Sequence, residues 1–349
     1  MRLSGARVPV LLVLCGSLVA AEASGPELLD RLTRQQPADQ AIHHGLAWLR
    51  EHPGAASAED AKQHATAHAA LAVMAHLSAG HAIHDPQYGG WLRERLRFVL
   101  AMQAPNGYFG ARDDSRMYGH GIVTLMLAEA YGMCDDAALE ERIRAALVRA
   151  VAVTVNAARV EKPAEHAGGW RYHPTSDTSD LSLSGWQLMG LHACQQVGIT
   201  VPEAVVVQAC AYARRLTSDT GAVGYQKRGD DHPALRGLSL LCLAIDPRGA
   251  DPVMDRVAER ITKYPIAWKG KWLFYRAYYD AVGLSRARPE IWRGYRPRLE
   301  QMLVDHQHPD GYWPSPPGGN EGDFGYTYTT SMAVLALAVD RHLLPAYQR

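Results

Sequence analysis

Apolar residues recur along most of the chain at steps of three and four positions, a spacing that predicts α-helices rather than strands. The pattern is clearest after the polar loop that follows Gly168-Gly169-Trp170. There the apolar positions are Leu183, Trp186, Leu188, Leu191 and Cys194. This stretch combines an outer helix, a glycine-aromatic turn, an acidic loop and an apolar helix, and the rest of the chain repeats that order.

The predicted helices come in six pairs, at a period of roughly 50 residues that is typical of stacked supersecondary units. The pairs are Gln40–Arg50 with Glu59–Ala79, Tyr88–Met102 with Met117–Tyr131, Ala137–Ala158 with Asp180–Val197, Pro202–Leu216 with Pro233–Ile245, Pro252–Lys263 with Lys269–Val282, and Pro289–Asp305 with Thr327–Val339.

The second helix of each pair is the more apolar one, as a comparison of the run starting at Leu238 with the charged run at Leu139 shows. A helix that is apolar all round is covered on all sides. We therefore expect the second helices to form an inner ring and the first helices an outer ring. The sequence predicts an all-α fold of six helical hairpins closed into an α/α toroid, or α6/α6 barrel.

The N-terminus carries the features of a signal peptide. Arg2 and Arg7 precede the short apolar run 8–19, and Ala21-Glu22-Ala23 is a small-x-small cleavage signal. The prediction is an exported protein, periplasmic or extracellular, with a signal peptide at 1–23 and one toroid domain at 24–349. An uncleaved membrane anchor, or a lipoprotein signal using Cys15, remains an alternative.

The overall charge gives no indication of a polyanionic partner. The chain has 36 basic and 36 acidic side chains, and hence zero net charge, so neither nucleic acid nor an anionic membrane surface is predicted as a partner. Outside the signal, Cys194, Cys210 and Cys242 lie in apolar helical runs and are expected to be buried free thiols. Disulfides among these three and Cys134 remain open.

Two segments carry a glutamine, a glycine and an aromatic residue in the same register: 98–109, which contains Gln-Ala-Pro-Asn-Gly-Tyr-Phe, and 303–313, which contains Gln-His-Pro-Asp-Gly-Tyr-Trp. They resemble the repeats of squalene-hopene cyclases. The Gly-Gly-Trp turn and the tail at 326–337 resemble the wider prenyltransferase and squalene-oxidase repeat group. The resemblance implies a terpenoid-cyclase-like toroid, in which these motifs tie helix ends to neighbouring backbone.

The resemblance also implies where a proton donor would stand. Squalene-hopene cyclases protonate an alkene with an Asp-x-Asp-Asp motif, and alignment places Asp177 on its first aspartate, Asp180 on its last and Ser179 on the donor. A serine hydroxyl is too weak an acid for that step. The Asp-x-Cys zinc pair of protein prenyltransferases and the Gly-Cys-Gly-Glu-Gln thioester motif are also absent from the sequence. No cofactor is predicted.

Residues near the start of the inner helices are the best candidates for a site, because these helix ends would share one mouth of the toroid. The catalytic candidates are Asp177, Asp180 and His120, and the cavity-lining candidates are Tyr118, Trp170, Trp186, Tyr275, Tyr326 and Tyr328. An aromatic cavity with few charges suits an apolar ligand and can stabilise a carbocation. The alternatives are that Asp180 caps its helix and that the aromatic rings only fill the core.

His64 and His68 stand four residues apart, a spacing that can bind zinc on one face of a helix. They form only a weak candidate metal pair, because chance pairs at this spacing are expected among the 16 histidines of the chain. No metal is predicted.

The predicted function is binding or transformation of an isoprenoid or another apolar small molecule in a central cavity, and whether the protein is an enzyme remains open. A rival prediction is a carbohydrate-active enzyme on the same toroid. It would use Asp177 together with Asp113, Asp230 or Asp323, since a glycosidase needs two carboxylates. A third is a non-catalytic binding scaffold.

Overall fold

The computed structural model of the chain describes residues 36–55, 59 and 62–341. Twelve α-helices carry most of the regular structure within these ranges. They are α1 Pro37–Glu51, α2 Ala65–Ser78, α3 Gly89–Ala101, α4 Arg116–Gly132, α5 Ala137–Ala158, α6 Leu181–Gln196, α7 Glu203–Leu216, α8 Pro233–Ala244, α9 Val253–Lys263, α10 Leu273–Ala287, α11 Pro289–Asp305 and α12 Tyr326–Leu337. None of them is long and apolar enough to cross a membrane. The predicted signal peptide lies outside the described residues.

The even-numbered helices form a closed inner ring. Each contacts the next in the order α2, α4, α6, α8, α10 and α12, and α12 in turn contacts α2. The odd-numbered helices pack around this ring, and α1 contacts both α11 and α12 where the last hairpin meets the first. The predicted fold of six hairpins closed into an α/α toroid is confirmed.

Burial explains the difference in composition between the two rings. In the inner helix α6 every residue from Leu181 to Cys194 is buried. The outer helix α9 buries only one face, formed by Val253, Met254, Val257, Ala258 and Ile261. An inner helix is covered by two ring neighbours and an outer helix, so polar residues have few places on it.

The glutamine motifs act as the structural ties that the sequence predicted. The Gln103 side-chain amide donates to the carbonyl of Gly107 in its own turn (3.0 Å) and to that of Ala146 in α5 (2.9 Å). Gln307 repeats the arrangement, donating to Gly311 (2.8 Å) and to Ala41 of α1 (2.9 Å). The second tie therefore joins the last hairpin to the first.

Substituting Gln307 by alanine should lower the free energy of unfolding by about 1–2 kcal/mol, because two carbonyls at the closure of the outer ring lose their donor. Chemical denaturation of both variants would measure it. Gln301→Ala is the control, since the Gln301 amide bonds only to the exposed Asp305 carboxylate in its own helix. Equal losses in the two variants would contradict a role for Gln307 in ring closure.

Two inner helices begin later than predicted. Helix α2 starts at Ala65 instead of Glu59, and α10 covers Leu273–Ala287 instead of Lys269–Val282. In both cases the preceding residue, His64 or Trp272, has a left-handed backbone (φ 64° and 59°) that cannot continue a right-handed helix.

The cysteines in the described part of the chain are free thiols. Burial raises the pKa of Cys194 and of Cys210 to about 12, and it also raises the pKa of Cys242. The expected buried thiols are therefore confirmed for these three, while Cys134 is half-buried.

Candidate functional site

The inner helices begin at one end of the toroid, which we call the mouth. Backbone hydrogen bonds join the loops that precede neighbouring inner helices: His64 N to Asp113 O, Met117 N to Tyr172 O, and Leu181 N to Tyr225 O. The free N–H groups and the positive ends of the helix dipoles gather there, so carboxyl oxygens at the mouth are well placed as hydrogen-bond acceptors.

Two inner helices receive a carboxylate cap from the loop of the following hairpin. Asp113 accepts from the backbone N–H of Thr66 in the first turn of α2 (2.6 Å). Glu321 accepts from Phe274 N and Tyr275 N in the first turn of α10 (2.9 Å each). In both helices the preceding residue has a left-handed backbone and its own side chain makes no capping hydrogen bond, so the cap comes from another hairpin.

Asp180 caps its own helix α6, as one of the predicted alternatives required. Its Oδ1 accepts from Leu183 N and from the Ser182 hydroxyl, both at 2.8 Å. Its Oδ2 lies 3.4 Å from Nη1 of Arg171, longer than a good N–H···O hydrogen bond. The side chain is fully buried, and this burial raises the carboxyl pKa, although the Leu183 N–H, the Ser182 hydroxyl, Arg171 and the Tyr225 hydroxyl oppose the rise.

Arg171 lies against two tyrosine rings. Its guanidinium carbon is 4.9 Å from the ring centre of Tyr172 and 5.6 Å from that of Tyr225, both within cation–π range. The two phenol oxygens are 3.4 Å apart. Burial raises the pKa of Tyr225, and the nearby Asp180 carboxylate adds to the rise. The ring faces of Tyr172 and Tyr225 therefore already contact a cation, the Arg171 guanidinium.

Three further tyrosines connect Asp180 to Glu321. The Tyr118 hydroxyl lies 2.5 Å from the Ser182 hydroxyl, and the Tyr275 hydroxyl donates to the Ser182 carbonyl (3.1 Å). The Tyr328 hydroxyl donates to Glu321 (3.3 Å). Burial raises the pKa of all three phenols, so they are neutral donors at neutral pH. We call the whole set the mouth cluster: Tyr118, Arg171, Tyr172, Asp180, Ser182, Tyr225, Tyr275, Glu321 and Tyr328.

Trp186 lies deeper, where aromatic rings fill the lumen. It stacks on Tyr278 of α10 (ring centres 5.9 Å apart, 13° between planes) and meets Tyr279 edge-on at 5.4 Å. Helix α8 separates α6 from α10 in the ring, so these contacts cross the lumen. All three side chains are buried. The predicted central cavity is therefore filled at this depth, and the mouth remains as the candidate site.

The prediction for His120 as an acid or base at the mouth needs correction. The ring is fully buried between the inner and outer helices: Nε2 lies 3.1 Å from the Ala150 carbonyl and from the Thr154 hydroxyl of α5. The other nitrogen, Nδ1, accepts from Phe109 N (3.3 Å). Burial lowers the His120 pKa to about 4, so it packs as a neutral ring.

Two of the predicted cavity aromatics also lie elsewhere. The Trp170 indole donates to the Thr154 carbonyl of outer helix α5 (2.9 Å), so it fastens the turn rather than lining the lumen. Tyr326 is 43% exposed and stacks on Tyr312 at 4.4 Å, on the outer side of the last hairpin. By contrast, Tyr118, Tyr275 and Tyr328 all belong to the mouth cluster.

The four acids proposed for a carbohydrate-active enzyme do not share one environment. Asp177, Asp230 and Asp323 are exposed, and only Asp113 is buried. Asp113 is engaged as the cap of α2 and also accepts from the Ser115 hydroxyl (2.7 Å). Among these four acids there is thus no buried carboxylate without a capping role.

The structure places no third metal-ligating side chain with the candidate pair His64 and His68 in a group that could hold a metal, within the residues it describes. His64 precedes α2 with a left-handed backbone instead of sharing a helical face with His68, and the ring centres are 6.2 Å apart. Burial lowers the pKa of His68 to about 4, with a smaller contribution from the neighbouring His64. No group of three His, Cys, Asp or Glu side chains suited to a metal occurs among the described residues.

Sequence reasoning missed Arg171, Ser182 and the tyrosines at 172 and 225. Arg171 and Tyr172 directly follow Trp170, and Ser182 lies two residues after Asp180. Closer attention to the neighbours of these two predicted residues would have found them. Tyr225 comes from the following hairpin, and only the closed ring brings it to Asp180.

A separate recess of about 290 Å³ lies at the seam between the first and last hairpins. Its charged groups pair with one another, Arg296 with Asp340 and Arg341 with Asp39. Because these charges are paired, we interpret the recess as part of the closure of the ring and not as a reactive site.

The fold can be compared with solved structures. The chain is similar to the type II terpene cyclase MstE from Scytonema, determined in complex with geranylgeranyl dihydroxybenzoate, with 13% sequence identity and a TM-score of 0.38 over 88% of this chain and 98% of that chain. No protein-family model matches the sequence, and no curated protein matches it.

Proposed function

We propose that this chain binds an isoprenoid or a similar apolar molecule at the mouth of its toroid, and that the Asp180 carboxyl can donate a proton to it. The observation that carries the proposal is the environment of Asp180, a fully buried carboxyl beside a group of neutral tyrosines. The resemblance of the glutamine-glycine-aromatic repeats to squalene-hopene cyclases supports the same ligand class.

Proton transfer to an alkene needs an acid that holds its proton at working pH until the substrate arrives. Burial shifts the pKa of Asp180 in that direction. Oδ1 is committed to the helix cap, whereas Oδ2 makes no capping hydrogen bond and lies 3.4 Å from Arg171, so Oδ2 is the oxygen from which a proton would leave.

Ser179, which aligns with the usual donor of the cyclases, takes no part in this arrangement. Its hydroxyl donates to the His166 carbonyl (2.9 Å), and its N–H donates to Nδ1 of the same residue (3.1 Å). The proposed acid is therefore the neighbouring residue in the sequence, and the proposal does not require a hydroxyl to act as a strong acid.

The neutral phenols of Tyr118, Tyr275 and Tyr328 would surround the ligand, and the layer at Trp186 would form the floor below it. Ring faces attract cations in a site with little water. Such walls suit a hydrocarbon and a transient carbocation better than a sugar, whose hydroxyls need many polar partners.

Binding is tested first by mass spectrometry of lipid extracts from the purified protein, followed by titration of tryptophan fluorescence with geranylgeraniol and, in parallel, with soluble oligosaccharides. The proposal expects an isoprenoid in the extract or saturable quenching by geranylgeraniol. Saturable binding of an oligosaccharide without either of these would overturn it.

Asp180→Asn separates the two roles of this residue, because asparagine also caps helices well. We expect the variant to retain its fold and to bind geranylgeraniol within about threefold of the parent protein. Conversion of any isoprenoid that the parent transforms should fall about 100-fold or more. The exposed Asp177→Asn is the matched control and should leave conversion unchanged. Full conversion by Asp180→Asn would remove this residue as the acid.

A further inference from the structure

The connection between α9 and α10 is basic and aromatic. We call residues 263–272 the rim segment; it reads Lys-Tyr-Pro-Ile-Ala-Trp-Lys-Gly-Lys-Trp. It carries three lysines and no acidic residue, and the next acid along the chain is Asp280. The zero net charge of the whole chain hides this local excess, so the overall charge alone does not indicate an anionic partner.

The lysines and two of the three aromatic side chains of the rim segment face solvent, whereas Trp268 packs against His306 and Phe274. Lys263, Lys269 and Lys271 are exposed, and Tyr264 and Trp272 are 47% and 41% exposed. Single exposed apolar side chains are common on proteins, but two large aromatic rings exposed in one short basic loop mark a candidate interaction surface. Lysines interleaved with exposed tryptophan and tyrosine are typical of surfaces that lie at a lipid–water interface.

The backbone holds Trp272 in place despite an unfavourable conformation. Its φ of 59° is left-handed, which is rare for a bulky residue and often marks a functional position. The Trp272 N–H donates to the Asn320 side chain (3.1 Å), and Gly270 N donates to Pro317 O (2.9 Å). The indole also stacks on Phe324 (6.0 Å, 28°). The exposed ring is thus presented by a fixed loop.

The rim segment borders the mouth. Trp272 directly precedes α10, whose first turn contains Tyr275 of the mouth cluster. Phe324, on which Trp272 stacks, lies 5.5 Å from the ring of Tyr328 in the same cluster. A surface that bound the rim segment would therefore lie beside the opening of the candidate site.

We propose that the rim segment docks the protein on a membrane surface that contains anionic lipids. The lysines would contact the lipid headgroups, and Trp272 and Tyr264 would insert at the level of the headgroups. This docking does not depend on the proposed function, although it would place the mouth against the layer in which an isoprenoid dissolves.

The test is co-sedimentation of the full chain with vesicles of phosphatidylcholine alone or mixed with phosphatidylglycerol. Binding should require phosphatidylglycerol and should weaken as salt screens the charges. Lys269→Gln/Lys271→Gln should lower partitioning about tenfold or more. The control Arg142→Gln/Arg144→Gln removes the same charge from the exposed face of α5, near the end of that helix remote from the mouth. It should change partitioning less than about twofold.

Trp272→Gly tests the aromatic contribution without loss of the fold, because glycine adopts a positive φ readily. It should also lower partitioning, by about fivefold or more. All variants keep the N-terminal residues 1–35, so these cannot cause differences among them. Equal partitioning of the lysine and arginine double variants, or equal binding to both vesicle types, would overturn the proposal. Binding of DNA or a polysaccharide in place of vesicles would do the same.

Discussion

Adding a single methyl group at Gly283 is expected to lower the free energy of unfolding by roughly 3 kcal/mol or more. A Cβ at this position in α10 would lie 2.3 Å from the carbonyl oxygen of Gly237 in α8. A Cβ at Gly237 would in turn lie 2.3 Å from the backbone nitrogen of Asp280. The obstacle on both sides is backbone rather than a flexible side chain, so two helices of the inner ring would have to move apart.

Urea or thermal unfolding of Gly283→Ala would measure this loss, and Gly294→Ala is the matched control. Gly294 lies within the outer helix α11, and a Cβ there would meet nothing within 4 Å. Because glycine is a poor helix former, the control should gain up to about 1 kcal/mol. If both variants were equally stable, the close approach of α8 and α10 would not be a determinant of the ring.

The fold could be predicted from the sequence because it follows from repeated local patterns. The helix pairs, the more apolar second helices and the glutamine-glycine turns recur often enough that errors at single helix ends do not matter. Those errors have a physical cause. The sequence before α2 and α10 favours helix, but the caps of these helices are Asp113 and Glu321, which come from other hairpins. A local pattern cannot reveal such a cap.

The site was predictable only in part, for the same reason. Asp180 stood out because an acid precedes an apolar helix, a pattern that is visible locally. The orientation of His120 and Trp170 toward α5 depends on which side of each element faces the outer ring. Residues near an inner helix start can face either the mouth or the outer helix, and spacing alone does not distinguish the two directions.

Glu321→Ala should be comparably destabilising, lowering the free energy of unfolding by about 3 kcal/mol or more, because it leaves the buried N–H groups of Phe274 and Tyr275 without their acceptor. Chemical denaturation would measure the loss. Asp323→Ala is the control, since this acid is exposed in the same turn. It should cost no more than about 0.5 kcal/mol. Similar losses for the two variants would show that the cap on α10 contributes little.

The pH dependence of Glu321→Gln provides an independent test of the same carboxylate. Burial raises the pKa of Glu321, and the N–H groups of Tyr275 and Phe274 oppose the rise only in part. The folded state therefore keeps the proton over a pH range in which the unfolded chain has already lost it. The stabilisation that this proton contributes is fully present below the ordinary glutamate pKa, about 4.3, and is lost as the pH rises through the pKa of the folded state.

Glutamine cannot titrate, so the difference in free energy of unfolding between the parent protein and Glu321→Gln should be largest at low pH and should shrink toward neutral pH. An advantage that grows with pH would mean that the N–H groups outweigh burial and that the carboxylate is the favoured form.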